Sequence, residues 1–535
     1  MKLKDKIVDV SRWDSYAFVI LLLAIIFQLL RWRIFPIFLD VYYHLLTAVG
    51  FNEAGGWISH CFWSFAPVGR PQLYPPLLHI IILLFLKMSM PVLIIGKLLQ
   101  CVIYPLLLFV IWYVIRKIFD KKVAFFSVFM LFSVYPFYLT AINTLAASLA
   151  LIFCFLSLLF LERNKVFTAS LLFALAFYSH GFTPWLFLCV FIFYGLLNKA
   201  KLKSCLKVCA LALFLASPII IYLFSMRHFY VFQKNNLGEN SYIELKLQWV
   251  IFLFGLVECL RKKDKYYIFI ALFLSSFILL FLGFIFRYFS FYGIMSLVFM
   301  NAVFLSSLYE KLNKRSRKFY LLSVFILFFI LSPTLTIDLS KKHGINDKPV
   351  SAAGNDELIF GQGLFRLNTQ DSSFLNFFFY GSRLMRTNEI TIYYPRLFSE
   401  LLGVINKNTG KEDIIYVNLP YTAGILSLLS NRATSSAMLS EVGPYVNFDQ
   451  IASSRLIIWQ KDPADIEQGQ EQAYLIKKYN LKKIADTKLA FIYKNPECIS
   501  KKQTLSASIS YKVLFALIFL VFMLIIWSIK FDIDK

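Results

Sequence analysis

The sequence predicts a polytopic α-helical membrane protein of about twelve spans that carries a small extracytoplasmic α/β domain. Three observations carry that prediction. The chain is 59% hydrophobic and 18% aromatic but only 16% charged, whereas soluble domains are about half apolar and about a quarter charged. Apolar runs of spanning length recur from the N-terminus to residue 335 and return near the C-terminus. Basic residues lie in short clusters between those runs, so the net charge of +24 reads as a topology signal, and no nucleic-acid partner is expected.

In chain order, spans are expected near residues 14–34, 91–115, 123–137, 145–162, 166–179, 184–197, 205–225, 247–260, 266–286, 288–309, 319–335 and 512–529. Several are only about 14 residues, so these helices must run into flanking loops or be broken. Residues 76–90, PLLHIIILLFLKMSM, are apolar enough for a further span. If they do not cross, inward loops hold 24 Lys and Arg and short outward loops eight. If they do cross, RKIFDKK, RKKDK and EKLNKRSRK all face outward and the bias inverts. The segment is therefore expected as an interfacial or re-entrant helix on the outer face. Both termini are then cytoplasmic in a multi-pass cell-membrane protein. The N-terminal apolar run lacks a small-residue cleavage site and is expected to remain as the first span.

The chain divides into a membrane region (1–335), an outer α/β domain (336–510), and a final span with a cytoplasmic tail (511–535). In the outer domain EDIIYV, RLIIW and KLAFIYKN read as strands, and YTAGILSLLS and IEQGQEQAYLIKKYN as helices. Residues 336–411 are less regular and are expected to dock on the membrane region. The domain's 20 Lys and Arg nearly balance its 17 Asp and Glu, which excludes a polyanion-binding module.

Function turns on residues 31–80, RWRIFPIFLDVYYHLLTAVGFNEAGGWISHCFWSFAPVGRPQLYPPLLHI. This polar, aromatic interruption carries Asp40, Tyr43, His44, Glu53, His60, Arg70 and His79 between apolar segments. Ionisable groups at that depth mark functional sites by default. Asp40 lies about two turns beyond the first span, and His44 shares its face if DVYYHLL is helical. An isolated Asp there is more often a helix cap among interfacial aromatics, but the residues that follow reverse that weighting.

The order is an Asp with Tyr-Tyr-His outside the first span, then AGGW, then GRPQLYPPLLH opening a helix. It resembles the first extracytoplasmic loop of the GT-C membrane glycosyltransferases, in particular oligosaccharyltransferase catalytic subunits and protein O-mannosyltransferase-type enzymes. The resemblance covers the loop, and the rest of the membrane region in layout only. It implies transfer of a sugar or oligosaccharide from a polyprenyl-phosphate-linked donor to an acceptor on the outer face. It also implies a membrane-parallel helix in the loop, a carboxylate at Asp40 beside the anomeric carbon, and lipid-phosphate contact by an arginine opening a late span, here Arg287.

Such a transfer needs a base or a divalent metal, such as Mg or Mn, to activate the acceptor, and fixed cations for the departing phosphate. Asp40 is the candidate base or metal ligand, with Glu53 as candidate second carboxylate; a solvated loop charge is the competing reading of Glu53. For the donor phosphate the candidates are Arg287, Lys97 in PVLIIGKLLQ, and Arg70, with snorkelling the alternative for Arg287 and Lys97. Tyr43, His44, His60, His79 and, in FYSHGFTPW, His180 are further candidates, although a lone His is more often a structural donor. The outward loop RHFYVFQKNNLGENSYIELK, with Glu239 and Glu244, is expected as an exposed hairpin, a lid being the alternative.

Two departures from the resembling enzymes matter. Their second acidic motif falls where this chain has LTAINTLAAS, without a carboxylate, which argues against a two-carboxylate metal site. Only Trp459 in IIWQKDPAD stands for their W-W-D-type acceptor motif, so sequon-directed N-glycosylation is not expected. No Gly-rich phosphate loop precedes a helix, which removes a nucleotide-sugar donor. Of eight cysteines only Cys61 and Cys498 lie in outward regions, giving no disulfide or zinc framework. The acceptor stays open between protein, lipid and glycan. The competing functions are a transporter or flippase of lipid-linked sugars and a glycan polymerase or ligase.

Overall fold

The computed structural model describes residues 11–33, 35–230, 242–331, 334–338, 358–360, 365–368, 395–436, 442–461, 466–503 and 505–531. The membrane region comprises α1 (Arg12–Leu30), α2 (Leu39–Ala54), α3 (Leu77–Lys87), α4 (Val92–Ile118), α5 (Lys121–Ser133), α6 (Tyr135–Asn143), α7 (Leu145–Glu162) and α8 (Val166–Ser179). It continues with α9 (Thr183–Leu197), α10 (Lys199–Ser225), α11 (Leu247–Arg261), α12 (Lys263–Ser276), the short α13 (Ile278–Phe281) and α14 (Ile285–Arg287), α15 (Gly293–Lys311) and α16 (Lys314–Phe325). A last helix runs Tyr511–Phe531.

Among the described residues, seven helices are long and apolar enough to cross a membrane, or eight with one bent pair counted as a span. The expected count of about twelve spans is not reached: Val166–Ser179 and Thr183–Leu197, both expected as spans, are apolar helices of 14 and 15 residues. The bent pair is α5 and α6, turned by 79°. Pro136 stands in the first turn of α6, where its missing N–H leaves no bond to the preceding turn. The expected span 123–137 thus ends in a helix lying across it. α3 is an 11-residue helix, too short to cross, in keeping with an interfacial or re-entrant placement.

The apolar bundle packs α4, α5, α7, α8, α12 and α15 around a core of Phe, Leu and Ala side chains. At one end of it the basic clusters find acidic partners. Ser11 and Asp14 form a capping box on α1, and the same carboxylate receives Arg116 Nε from the end of α4 at 2.6 Å. Glu310 on α15 takes Lys122, and Glu258 on α11 takes Lys262 at 2.9 Å.

At the other end lie α2, α3 and a two-stranded hairpin, β2 (His60–Cys61) with β3 (Arg70–Pro71). Beyond them is a five-stranded sheet in the order β11 (Lys482–Asp486), β12 (Ala490–Lys494), β10 (Leu456–Gln460), β8 (Ile414–Val417), β9 (Ala433–Thr434). β8 pairs in parallel with both neighbours, and β12 runs antiparallel to β10 and β11. Helices Pro420–Ser430 and Ile466–Lys478 complete the strand and helix alternation that the sequence pattern predicts.

This sheet does not stand apart from the loop. Leu45, Phe51, Phe62 and Trp63 share one core with Ile415, Leu426 and Ile458. Thr434 extends the sheet edge onto the loop, its N–H donating to the Trp63 carbonyl at 3.0 Å and its carbonyl accepting from Ala66 N–H at 2.9 Å. The segment before the last helix then returns to α2. There β13 (Ile509–Ser510) pairs with β1 (Gly56–Trp57). A side chain at Gly56 would place its Cβ 2.1 Å from the Ile509 carbonyl oxygen, so only glycine permits that pairing.

Within 336–411 the described residues include three strands and a helix, Pro395–Asn408. β5 (Thr334–Asp338), β7 (Phe365–Asn368) and β6 (Leu358–Phe360) form an antiparallel sheet with β4 (Tyr242–Lys246) at the end of RHFYVFQKNNLGENSYIELK. The expected exposed hairpin is therefore in part a strand of a larger sheet. Glu244 lies in β4, and Glu239 lies outside the described residues.

Candidate active site

Asp40 occupies the first turn of α2, where unpaired N–H groups and the helix dipole favour a negative charge. One turn on, His44 is buried and its Nδ1 lies 2.9 Å from His79 Nε2 on α3. The other ring nitrogens, His44 Nε2 and His79 Nδ1, have no protein partner. Whichever ring donates, the pair keeps one unmet donor and one unmet acceptor. Burial holds His44 down to about 3 and His79 well below its ordinary value, the neighbouring His44 adding to the latter, so both imidazoles are neutral at physiological pH.

Aromatic rings close around this pair. Tyr74 meets His44 edge-on at 4.7 Å and His180 at 6.0 Å. His180 sits between α8 and α9, and its Nδ1 accepts the N–H groups of Phe182 and Thr183 at 3.2 and 3.0 Å. That use of Nδ1 places the ring proton on Nε2. Burial pulls His180 down to about 3, with the nearby Arg287 and His44 adding to it. Arg287 ends α14 and feeds the π-helical turn Tyr288–Tyr292 that opens α15. Tyr292 hydroxyl in that turn lies 2.6 Å from Thr183 Oγ1, tying the Arg287 turn to the His180 turn. The structure thus brings His44, His79, His180 and Arg287 into one neighbourhood, with Asp40 one turn from His44.

Other candidates fall elsewhere. Glu53 is 13 residues beyond Asp40 on the same helix, about 20 Å along its axis, and accepts Lys502 Nζ at 3.1 Å. The expected Asp40 and Glu53 carboxylate pair is therefore not formed, because one straight helix holds them apart. Arg70 is 1% exposed, its guanidinium 5.5 Å from the Tyr43 ring and 3.4 Å from the Val442 carbonyl. Tyr43 hydroxyl donates to Gln72 Oε1 at 3.1 Å, and burial pushes its pKa up to about 12. His60 stacks on Tyr445 at 5.0 Å, at the seam between hairpin and sheet. Lys97 on α4 has its ammonium 5.8 Å from the Trp32 ring. Trp459 is buried in the sheet and packs with Tyr493 and Ile457.

For a divalent metal, no group of three or more His, Cys, Asp or Glu side chains is placed to hold an ion among the described residues. Asp40 is the one acidic group beside His44, His79, His180 and Arg287.

The sequence reading missed the amides. Gln28 on α1 and Gln100 on α4 are fully buried, and Gln28 Nε2 donates to the Gln100 carbonyl at 2.8 Å. Tyr138 hydroxyl donates to Gln28 Oε1 at 2.8 Å and accepts from Arg31 Nη1 at 3.0 Å. Their signal was present: an amide inside IIFQLL or KLLQC is costly in an apolar span unless it is used.

The profile of the EpsG family matches residues 96–345. No curated protein sequence matches the chain. Among solved structures, the Archaeoglobus fulgidus oligosaccharyltransferase in complex with zinc and sulfate superposes with a TM-score of 0.53 at 11% identity, over 89% of this chain and 73% of that one. The same organism's AglB with an inhibitory peptide and dolichol-phosphate gives 0.52 at 11% identity, over 91% and 75%. ArnT from Cupriavidus metallidurans bound to undecaprenyl phosphate gives 0.51 at 12% identity, over 92% and 98%. At such identities the likeness is one of fold: the chain shares the fold of these oligosaccharyltransferase and ArnT structures.

Proposed function

We propose that the protein transfers a sugar or oligosaccharide from a polyprenyl-phosphate-linked donor to an acceptor on the extracytoplasmic face of the membrane. The observation that carries the reading is Asp40 in the first turn of α2, one turn from a buried imidazole pair, with Tyr74 joining that pair to His180 and the Thr183–Tyr292 contact tying the His180 turn to that of Arg287. The fold supports the class of reaction, and two of the similar structures hold a polyprenyl phosphate. The bias of 24 inward over eight outward basic residues supports the outer face.

In this reading the acceptor's nucleophilic oxygen or nitrogen gives its proton to the Asp40 carboxylate as it attacks the anomeric carbon. The bond from that carbon to the phosphate oxygen breaks, and its electron pair leaves on the polyprenyl phosphate, which Arg287 receives. The neutral His44 and His79 rings line the site without adding charge beside the carboxylate. Arg70 and Lys97 are left to structural or secondary roles by their present partners.

A second reading has its own observation. The EpsG match spans α4 to α16, and a polymerase of lipid-linked glycans would use the same donor class with a growing glycan as acceptor. Product length separates the two: a ladder of products indicates polymerisation, and a single addition indicates transfer.

The test of the catalytic assignment is Asp40→Asn, which keeps shape and hydrogen bonding and removes the charge. Transfer from an undecaprenyl-phosphate hexose should fall by about 10²-fold or more with the protein's abundance in the membrane unchanged. Near-normal transfer overturns the assignment.

A further inference from the structure

Gln100 is fully buried on α4 and spends its side chain on the backbone that leads to Asp40. Its Oε1 accepts Ile37 N–H at 2.9 Å, while its Nε2 donates to the Ile37 carbonyl at 3.1 Å and the Ile142 carbonyl at 3.0 Å. Both amide hydrogens are thereby used. Ile37 lies outside any helix or strand, so its peptide groups have no ladder to join and need such a partner. The next residue, Phe38, has φ of +74°, a conformation that a bulky side chain adopts only where its surroundings impose it. α2 begins directly after it, with Asp40 at its second position.

Two further features hold the same point. Tyr42 hydroxyl donates to the Pro36 carbonyl at 3.1 Å. A Cβ at Gly96, one turn before Gln100, would come within 2.8 Å of Leu45 Cδ1 and 3.1 Å of Pro36 Cβ, so α4 presses against both flanks of the turn. The bond to Ile142 extends the grip to the end of α6.

We propose that Gln100 is a positioning residue for the transfer reaction: it fixes the Ile37–Phe38 turn and so sets the direction in which α2 presents Asp40. The proposal rests on the reading of Asp40 as the base. Losing the amide orphans the Ile37 peptide groups and lets Phe38 relax, which swings the first turn of α2. A displacement of about 1 Å at a reacting group is enough to cost up to about 10²-fold in rate.

The experiment is a double-mutant cycle in membranes carrying the full chain, with radiolabelled undecaprenyl-phosphate hexose as probe. Gln100→Leu should lower kcat about tenfold or more and leave the donor KM within about twofold. In the Asp40→Asn background the same change should alter the residual rate by less than about twofold, because there is no base left to misplace. Gln100→Asn, too short to reach both Ile37 and Ile142, should follow the same pattern and serves if the leucine variant fails to accumulate. A multiplicative loss in both backgrounds, a rise in KM with kcat unchanged, or no loss at all overturns the role of Gln100 while the Asp40 reading stands. A near-normal rate for Asp40→Asn alone overturns both.

Discussion

Glu53→Gln tests whether this carboxylate belongs to the chemistry or to the scaffold. Its partner Lys502 is 4% exposed at the side chain and Glu53 33%, so substitution leaves a buried ammonium facing a neutral amide. Breaking a fully buried pair costs about 3–5 kcal/mol and an exposed one about 1 kcal/mol or less. With one partner buried and the other a third exposed, water replaces part of the lost interaction. Lys502 also keeps its place 4.4 Å from the Trp63 ring. The net loss should be about 2 kcal/mol, read as a fall of about 2 °C in the thermal midpoint of the detergent-solubilised protein. Transfer from an undecaprenyl-phosphate hexose, measured well below that midpoint, should stay within about twofold of wild type. A loss near that of Asp40→Asn with unchanged thermal stability would refute the placement and return Glu53 to the reaction.

The other predictions concern the cationic and imidazole groups. Arg287→Ala should raise the donor KM by about 10- to 100-fold, the scale of a lost charge-assisted hydrogen bond, and Arg287→Lys by less, since charge survives and the guanidinium fork does not; equal and near-normal donor KM in both makes Arg287 an interfacial anchor. His44 and His79 are held below their ordinary value of about 6.5, so between there and about 3 the unfolded chain binds more protons than the folded one. Stability should therefore be level above about pH 6.5 and fall as pH drops below it, with His44→Gln flattening the fall; a wild-type denaturation profile flat from pH 7 to 5 would show that the pair is not buried neutral.

Much of the membrane layout was legible because lipid tolerates few solutions: the segments read as 145–162 and 166–179 are helices with those bounds. Lengths were less legible, since Pro136 turns a helix that hydropathy alone reads as continuous. In the α/β region, EDIIYV, RLIIW and KLAFIYKN announce their strands by local pattern. The pairing of Tyr242–Lys246 with Thr334–Asp338 does not, because it depends on residues about a hundred positions apart. At the site, the helical spacing of Asp40 and His44 puts them on one face, and Arg287 is legible in the sequence only as a cation at a span's start. The separation of Asp40 from Glu53 needed the full length of α2. The Gln100 amide was visible only as an oddity in an apolar run, since what it holds is backbone, which leaves no sequence signature.

The bond between Glu53 and Lys502 joins residues 449 positions apart, and the Trp63 to Thr434 and Gly56 to Ser510 pairings span comparable lengths of chain. During synthesis at about 5–20 residues per second, the first loop must wait about 20–90 s for the strands that complete its core. Through that interval Phe62 and Trp63 lack their final neighbours, and the Glu53 carboxylate lacks its cation. Assembly of the first loop is thus withheld until the polypeptide is nearly finished, and shortened translation products should carry a membrane bundle with an unassembled loop.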